Sequence, residues 1–161
     1  VATKVKKNAS RYKEVRNAKA FHEYEISDRY ECGIVLTGTE VKSIRAGKAQ
    51  IAEGYIRVEK GQVNLYNAYI DEYNFGNFNN HNPKRPRRLL LHRREINKLD
   101  GAVQSGGFTI VPLKLYFKEA LVKIEIALGK GKKLYDKRQT ERNKEAARET
   151  QRLRKEVFKI N

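Results

Sequence analysis

Between residues 23 and 128 apolar and polar side chains mostly alternate, and a period of two marks strands that bury one face. The clearest run places Val111, Leu113, Leu115 and Phe117 on one side and Lys114, Tyr116 and Lys118 on the other. After a turn at Glu119-Ala120, Val122, Ile124, Ile126 and Leu128 alternate with Lys123, Glu125 and Ala127, so the two runs predict a hairpin. A second hairpin is predicted from residues 55–58, a turn at 59–62, and residues 63–70, while 24–26 and 33–36 supply further, separate strands. Two helices interrupt the strands. One starts at Thr39 as N-cap, carries Val41 and Ile44 at i, i+3 spacing, and stops at Gly47, where a left-handed residue is expected. The other presents Ile96, Leu99 and Val103 and ends at Gly106-Gly107. Residues 74–88, rich in Asn and holding Pro83 and Pro86, read as a loop.

Five to seven short strands with two small helices predict a mainly β fold, and closure is the simplest way to leave no unpaired edge. The oligonucleotide-binding-type closed β-barrel is the class that fits. The C-terminal segment differs in kind. From residue 136 to 155 the only apolar side chains are Ala146, Ala147 and Leu153, which make no stripe able to dock on a core. Glu141 and Lys144, Glu145 and Arg148, and Glu149 and Arg152 form three i, i+3 pairs, each contributing only about 0.2–0.5 kcal/mol. Such pairs barely offset helix nucleation, so the expectation is a flexible basic tail, disordered when free and helical when bound.

Charge sharpens this division. The chain carries +16 overall. Residues 1–22 hold +6 and residues 129–161 hold +7, leaving +3 for everything between. The expected organisation is a basic N-terminal arm (1–16), a β-barrel domain (17–128) and a basic C-terminal tail (129–161). Arms of this charge point to a polyanion, and neither pairs its cations with the bulky apolar face of a membrane-surface helix over most of its length. No stretch approaches the roughly 20 apolar residues of a membrane span. With a single cysteine, Cys32, excluding an internal disulfide and a multi-thiolate metal site, a soluble, unexported, cytoplasmic protein is expected.

Catalytic constellations are sparse. His22, His81 and His92 lack metal-ligand spacing, and no Gly-rich phosphate loop or nucleophile elbow is present, so neither metal, cofactor nor catalytic residue is expected. Cys32, ahead of Gly33-Ile34-Val35-Leu36, reads as a small buried apolar residue, and His92 with Glu95 as a surface feature more than an acid/base pair.

Binding features are stronger. Residues 83–95 place six cations around a Leu strand, a ridge suited to phosphates. In residues 129–138, Gly129 and Gly131 allow close backbone approach, Tyr135 offers a stacking face, and the four cations flanking it (Lys132, Lys133, Lys137 and Arg138) neutralise phosphates. Cations interleaved with an aromatic favour single-stranded or looped RNA over duplex DNA.

Five motifs, in order, resemble the small protein B (SsrA-binding protein) family: Asn17-Ala-Lys-Ala-Phe-His-Glu-Tyr24, Tyr30-Glu-Cys-Gly-Ile-Val-Leu36, Gly38-Thr-Glu-Val-Lys-Ser-Ile-Arg-Ala-Gly-Lys48, Leu89-Leu-Leu-His-Arg-Arg-Glu-Ile96 and Gly129-Lys-Gly-Lys-Lys-Leu-Tyr-Asp-Lys-Arg138. The resemblance implies a barrel that grips the tRNA-like domain of transfer-messenger RNA and rescues stalled ribosomes, with elongation factor Tu in the delivery complex. It implies RNA contacts from Glu31, Leu90, His92 and Lys123, supported by Asn17 and Lys19. It implies that Lys132, Lys133, Tyr135, Asp136, Lys137 and Arg138 engage the small-subunit decoding region, and that the following helix lies in the empty message channel. Residues 74–82 match the family poorly. A general ribosomal or structured-RNA-binding protein is the alternative reading.

Overall fold

A computed structural model describes residues 11–159. Lys4, Lys6 and Lys7 of the basic arm lie outside the described residues. The elements, in order, are β1 (Val15–Arg16), α1 (Ala18–Glu23), β2 (Tyr24–Ile34), α2 (Gly38–Arg45), β3 (Ala49–Gln50), β4 (Tyr55–Glu59), β5 (Gln62–Tyr66), β6 (Tyr69–Ile70), β7 (Arg87–Leu90), α3 (Arg93–Gln104), β8 (Phe108–Lys118), β9 (Leu121–Gly131) and α4 (Leu134–Lys159). A 3₁₀ turn spans Asn77–Asn79.

Seven strands make one antiparallel sheet in the order β1-β8-β4-β5-β7-β2-β9, and β9 pairs again with β8. β3 and β6 form a separate two-stranded sheet. Both predicted hairpins are present. In β4–β5 the chain reverses through Lys60 (φ 50°) and Gly61 (φ 72°), the paired left-handed residues that suit the strands' twist. In β8–β9 the turn falls at Glu119-Ala120, as the alternation requires.

Four boundaries differ from the sequence expectation, each for a local reason. The segment at 24–26 and the start of that at 33–36 belong to one 11-residue strand ending at Ile34, because a bulge between Ile26 and Arg29 interrupts the alternation without ending the pairing. The predicted strand 63–70 breaks at Asn67 (φ 56°), so that β6 leaves β5 and joins β3. The N-cap of α2 is Thr37, two residues before Thr39, because Glu40 at the third helical position accepts the Thr37 N–H at 2.8 Å. The fourth concerns β8. Val111 and Leu113 do not share a face with Leu115 and Phe117, because a bulge between Pro112 and Lys114 changes which side the chain presents.

That bulge divides the apolar interior. Leu115 and Phe117 join Ile44 of α2, Leu99 of α3, Val63, Leu65, Leu89, Ile124 and Ile126 in the main core. Val111 and Leu113, with Ala127, point outward and are covered by Ala20 of α1. α1 therefore lies on the outer surface of the β8–β9 hairpin. At the N-terminal side, Tyr12 packs against Phe117 with tilted rings (centroids 4.8 Å apart) and Val15 pairs with Leu115, so the packed domain begins before residue 17. At the other end β9 continues to Gly131, and the tail departs from Lys132.

Candidate nucleic-acid interface

Outside the apolar core, strand register assembles a polar face. Leu90 of β7, Gly33 of β2, Lys123 of β9 and Tyr116 of β8 are successive cross-strand partners, forming one row over four strands. The next row is Glu31, Glu125, Lys114 and Arg16. Adjacent strands lie about 4.8 Å apart, so each row spans about 14 Å, the reach of a few nucleotides. Leu90 is 52% exposed, and it sits over Gly33, where an added Cβ would approach it to 3.3 Å.

Carboxylates organise the cations on this face. Glu31 accepts hydrogen bonds from the Tyr116 hydroxyl and from Lys118 Nζ (2.8 Å). The bond from Lys118, then that from Tyr116, hold the Glu31 carboxyl below its ordinary range. Burial and the Glu31 bond together push the Tyr116 hydroxyl well up. Glu125 likewise meets Lys114 at 3.2 Å and Arg29 at 3.5 Å.

The structure thus brings Glu31, Leu90 and Lys123 together, with His92 two residues beyond Leu90 at the start of α3. His92 is exposed, and its backbone N–H donates to Glu95 Oε2 at 3.0 Å, so Glu95 closes the helix N-terminus. Asn17 caps α1, and Lys19 lies on it. Asn17 is buried: Oδ1 accepts the Ala20 N–H at 3.1 Å and Nδ2 donates to Pro112 O at 2.8 Å. It fixes the start of α1 against the β8 bulge, which orients the helix and does not display a free donor. Lys19 pairs with Glu53 at 2.8 Å, the bond that raises its pKa, and stands 3.9 Å from Glu23.

The predicted phosphate ridge at 83–95 is smaller than its six cations. Arg87 is fully buried, bonded to Glu40 (2.8 Å), Ala68 O (2.8 Å) and Pro83 O (3.0 Å), and Arg85 bonds Glu40 at 2.7 Å. Lys84, Arg88, Arg93 and Arg94 remain exposed. Gly129 also has a packing role: an added Cβ would lie 3.0 Å from the Tyr24 Cβ, so the close approach at this glycine is made by the protein's own side chain.

The tail is rooted on α1. The Lys132 N–H donates to Glu23 O at 2.9 Å, while its Nζ donates to Phe21 O and Thr140 Oγ1, each at 3.1 Å. His22 and Glu141 meet at 2.8 Å. From there α4, about 39 Å long, carries an exposed surface as far as Phe158. Tyr135 is 74% exposed; Lys133, Asp136 and Arg138 are also exposed, and Lys137 is half-buried. Among the described residues no ion pair joins Glu141 to Lys144, Glu145 to Arg148 or Glu149 to Arg152. Exposed pairs gain little over solvation, and Glu141 turns to His22 instead.

Sequence reasoning did not single out Phe21, Arg29, Tyr116 or Lys118, although the alternation of Lys114, Tyr116 and Lys118 already placed the last two on the outer face. Among the described residues no helix is long and apolar enough to cross a membrane, and no group of three His, Cys, Asp or Glu side chains could hold a metal ion.

Fold and face together define a small antiparallel β domain with an organised polar outer surface and a basic helical appendage. A family model described as SmpB protein matches residues 14–156, and the chain belongs to that family. It is 54% identical over 141 residues to an SsrA-binding protein of Shouchella clausii, covering 88% of this chain and 90% of the relative. It is 52% identical over 145 residues to an SsrA-binding protein of Geobacillus sp. (strain WCH70), covering 90% and 94%. A chain of a solved structure described as "tmRNA-SmpB: a journey to the center of the bacterial ribosome" superposes with a TM-score of 0.64 at 46% identity, covering 75% of this chain and 85% of that one.

Proposed function

We propose that the protein binds the tRNA-like domain of transfer-messenger RNA on this outer face and delivers it to stalled ribosomes. The observation that carries the reading is the four-strand row Leu90–Gly33–Lys123–Tyr116, flanked by the Glu31 carboxylate, on a chain whose relatives are named for binding SsrA RNA. Lys123 supplies the phosphate charge, Glu31 accepts from base or ribose donors and positions Tyr116 and Lys118, and Leu90 and His92 offer apolar and imidazole contact at one edge. Asn17 acts through its hold on α1, and Lys19 supports the RNA from that helix, on the side of Glu53.

The pairing circuit β8-β4-β5-β7-β2-β9-β8 supports a closed barrel of the oligonucleotide-binding type. On the ribosome, Lys132, Lys133, Tyr135, Asp136, Lys137 and Arg138 face the decoding region, and α4 occupies the message channel when no message fills it. The role is non-catalytic and cytoplasmic, and elongation factor Tu accompanies the complex.

Competition binding at fixed salt tests the proposal. The tRNA-like RNA should displace other folded RNAs by a large factor; comparable binding of all of them would favour a general RNA-binding protein. RNA incubated with the protein and a divalent metal should stay intact, and cleavage lost on His92→Ala would overturn the non-catalytic reading.

A further inference from the structure

Beside α1 the outer face holds an exposed aromatic ring in a cationic cleft. Phe21 is 44% exposed, and it lines a cleft of about 370 Å³ with Arg16, Arg29, Leu113, Lys114 and Glu125. A volume of this order suits a small organic group such as a nucleobase. Leu113 gives the cleft an apolar floor because the β8 bulge turns it outward. The Arg29 guanidinium stands 5.6 Å from the Phe21 ring centroid, within cation–π range. Its contact with Glu125 is loose, at 3.5 Å, and its side chain is largely exposed, so it is able to swing. A ring held between the two needs about 3.5 Å on each side, an opening of only about 1.5 Å more than the present gap.

The surroundings suit the rest of a nucleotide. Arg16 and Lys114 are cross-strand partners at the cleft's edge, and Arg16 is highly exposed. Lys114 continues through Glu125 to Glu31 in a single row, so a strand of RNA lying over Glu31 and Lys123 passes the mouth of the cleft. Three cations face two carboxylates, Glu125 and the Glu14 that holds Arg16 at 2.9 Å, and the remaining positive charge favours a polyanion's base over an apolar side chain of a protein partner.

We propose that this cleft is a binding site for one unstacked base of the bound RNA, held between Phe21 and Arg29 with a neighbouring phosphate on Arg16 or Lys114. The inference rests on the RNA-binding reading of the same face.

The chain contains no tryptophan, so Phe21→Trp places a single reporter in the cleft. Adding the tRNA-like RNA to the full-length F21W protein should quench its emission and lower its accessibility to acrylamide. Heparin, a polyanion without bases, should bind and leave the emission unchanged. Phe21→Ala should weaken RNA binding roughly 5- to 100-fold, Phe21→Trp should restore it, and Arg29→Ala should weaken it less. RNA binding to F21W with unchanged emission, quenching by heparin equal to that by RNA, or undiminished binding by a folded F21A protein would each overturn the cleft assignment alone. Should F21A fail to fold, the F21W emission and the Arg29→Ala binding decide. If the unsubstituted protein shows no preference for the tRNA-like RNA, the functional reading falls and the cleft assignment with it.

Discussion

The Glu40 carboxylate and the Arg87 guanidinium meet at 2.8 Å with neither side chain exposed to solvent. Glu40 also takes Arg85 at 2.7 Å and the Thr37 N–H at 2.8 Å, so one carboxylate ties α2 to β7 and to the loop before it. Burial pushes its pKa up, but the bonds from Arg85, the Thr37 amide and Arg87 outweigh it, and the carboxyl titrates below its ordinary 4.5.

Glu40→Ala leaves Arg87 charged and buried without its counter-ion, and should destabilise the fold by about 3–5 kcal/mol in urea unfolding. A folded-state pKa below the unfolded one contributes stability that is complete above pH 4.5 and lost as pH falls through the folded value. Stability of the unsubstituted protein should therefore fall on acidification below about pH 5, and a Glu40→Gln protein should be weaker at neutral pH yet show a shallower fall. Equal acid slopes for the two proteins would remove Glu40 from that account.

Cys32 sits at 1% exposure in the main core, and desolvation, with Glu95 and Glu31 adding to it, pushes its thiol up to about 12. At pH 8 the thiolate fraction is then roughly one in ten thousand, besides being out of reach. Iodoacetamide should leave the native protein unmodified for hours and alkylate Cys32 promptly in urea. Rapid native labelling would show that the strand pair around Cys32 opens readily.

Periodicity made the β8–β9 and β4–β5 hairpins legible, because each pairs across a turn whose residues announce it. It could not foresee the bulges at Ile26–Arg29 and Pro112–Lys114, where one added residue changes the face of everything beyond it. Burial of Arg87 was equally hidden: within the basic run of residues 83–95 it is indistinguishable from Arg88, and its partner Glu40 lies 47 residues away. Only the tertiary fold tells the structural cation from the available ones. Glu31, Leu90 and Lys123 were singled out through family resemblance alone, and the fold adds that they are neighbours: strand register aligns Leu90 with Lys123 through Gly33 and places Glu31 two residues along the same strand.

On this face Lys123 is a central cation, directly opposite Gly33 and Tyr116. Lys123→Ala should lower affinity for the tRNA-like RNA about 3- to 10-fold and reduce the salt slope of binding by about 1. Glu31→Ala should weaken binding with only a small change in unfolding midpoint, since its ion-pair partner Lys118 is a largely exposed surface group. A Glu31→Ala protein that binds RNA normally would remove the carboxylate from the interface.

The tail separates the two proposed activities. α4 touches the domain near its start, through Lys132, His22–Glu141 and Thr140, and beyond that its bulky apolar side chains, Leu153, Val157 and Phe158, are exposed and pack on nothing. Removing everything after Arg138 should leave binding to transfer-messenger RNA nearly intact and abolish tagging on stalled ribosomes. Loss of both to the same degree would refute that division.

The proposed function has α4 enter the message channel as a helix, so its stability off the ribosome decides how an empty channel is sensed. A helix of 26 residues without a packed face and without its own i, i+3 ion pairs has little to offset nucleation. In the free protein, amides from about residue 146 onward should exchange with deuterium nearly as fast as in an unfolded chain, while those near Thr140 and Glu141 are protected by the contact with α1. Glu141→Ala should extend the fast-exchanging region back toward Tyr135 without changing exchange in β8 or β9. Binding to a ribosome with an empty channel should protect the whole segment. Uniform protection in the free protein would mean that α4 arrives preformed, and channel occupancy would then be sensed by steric fit of a rigid helix and not by its folding.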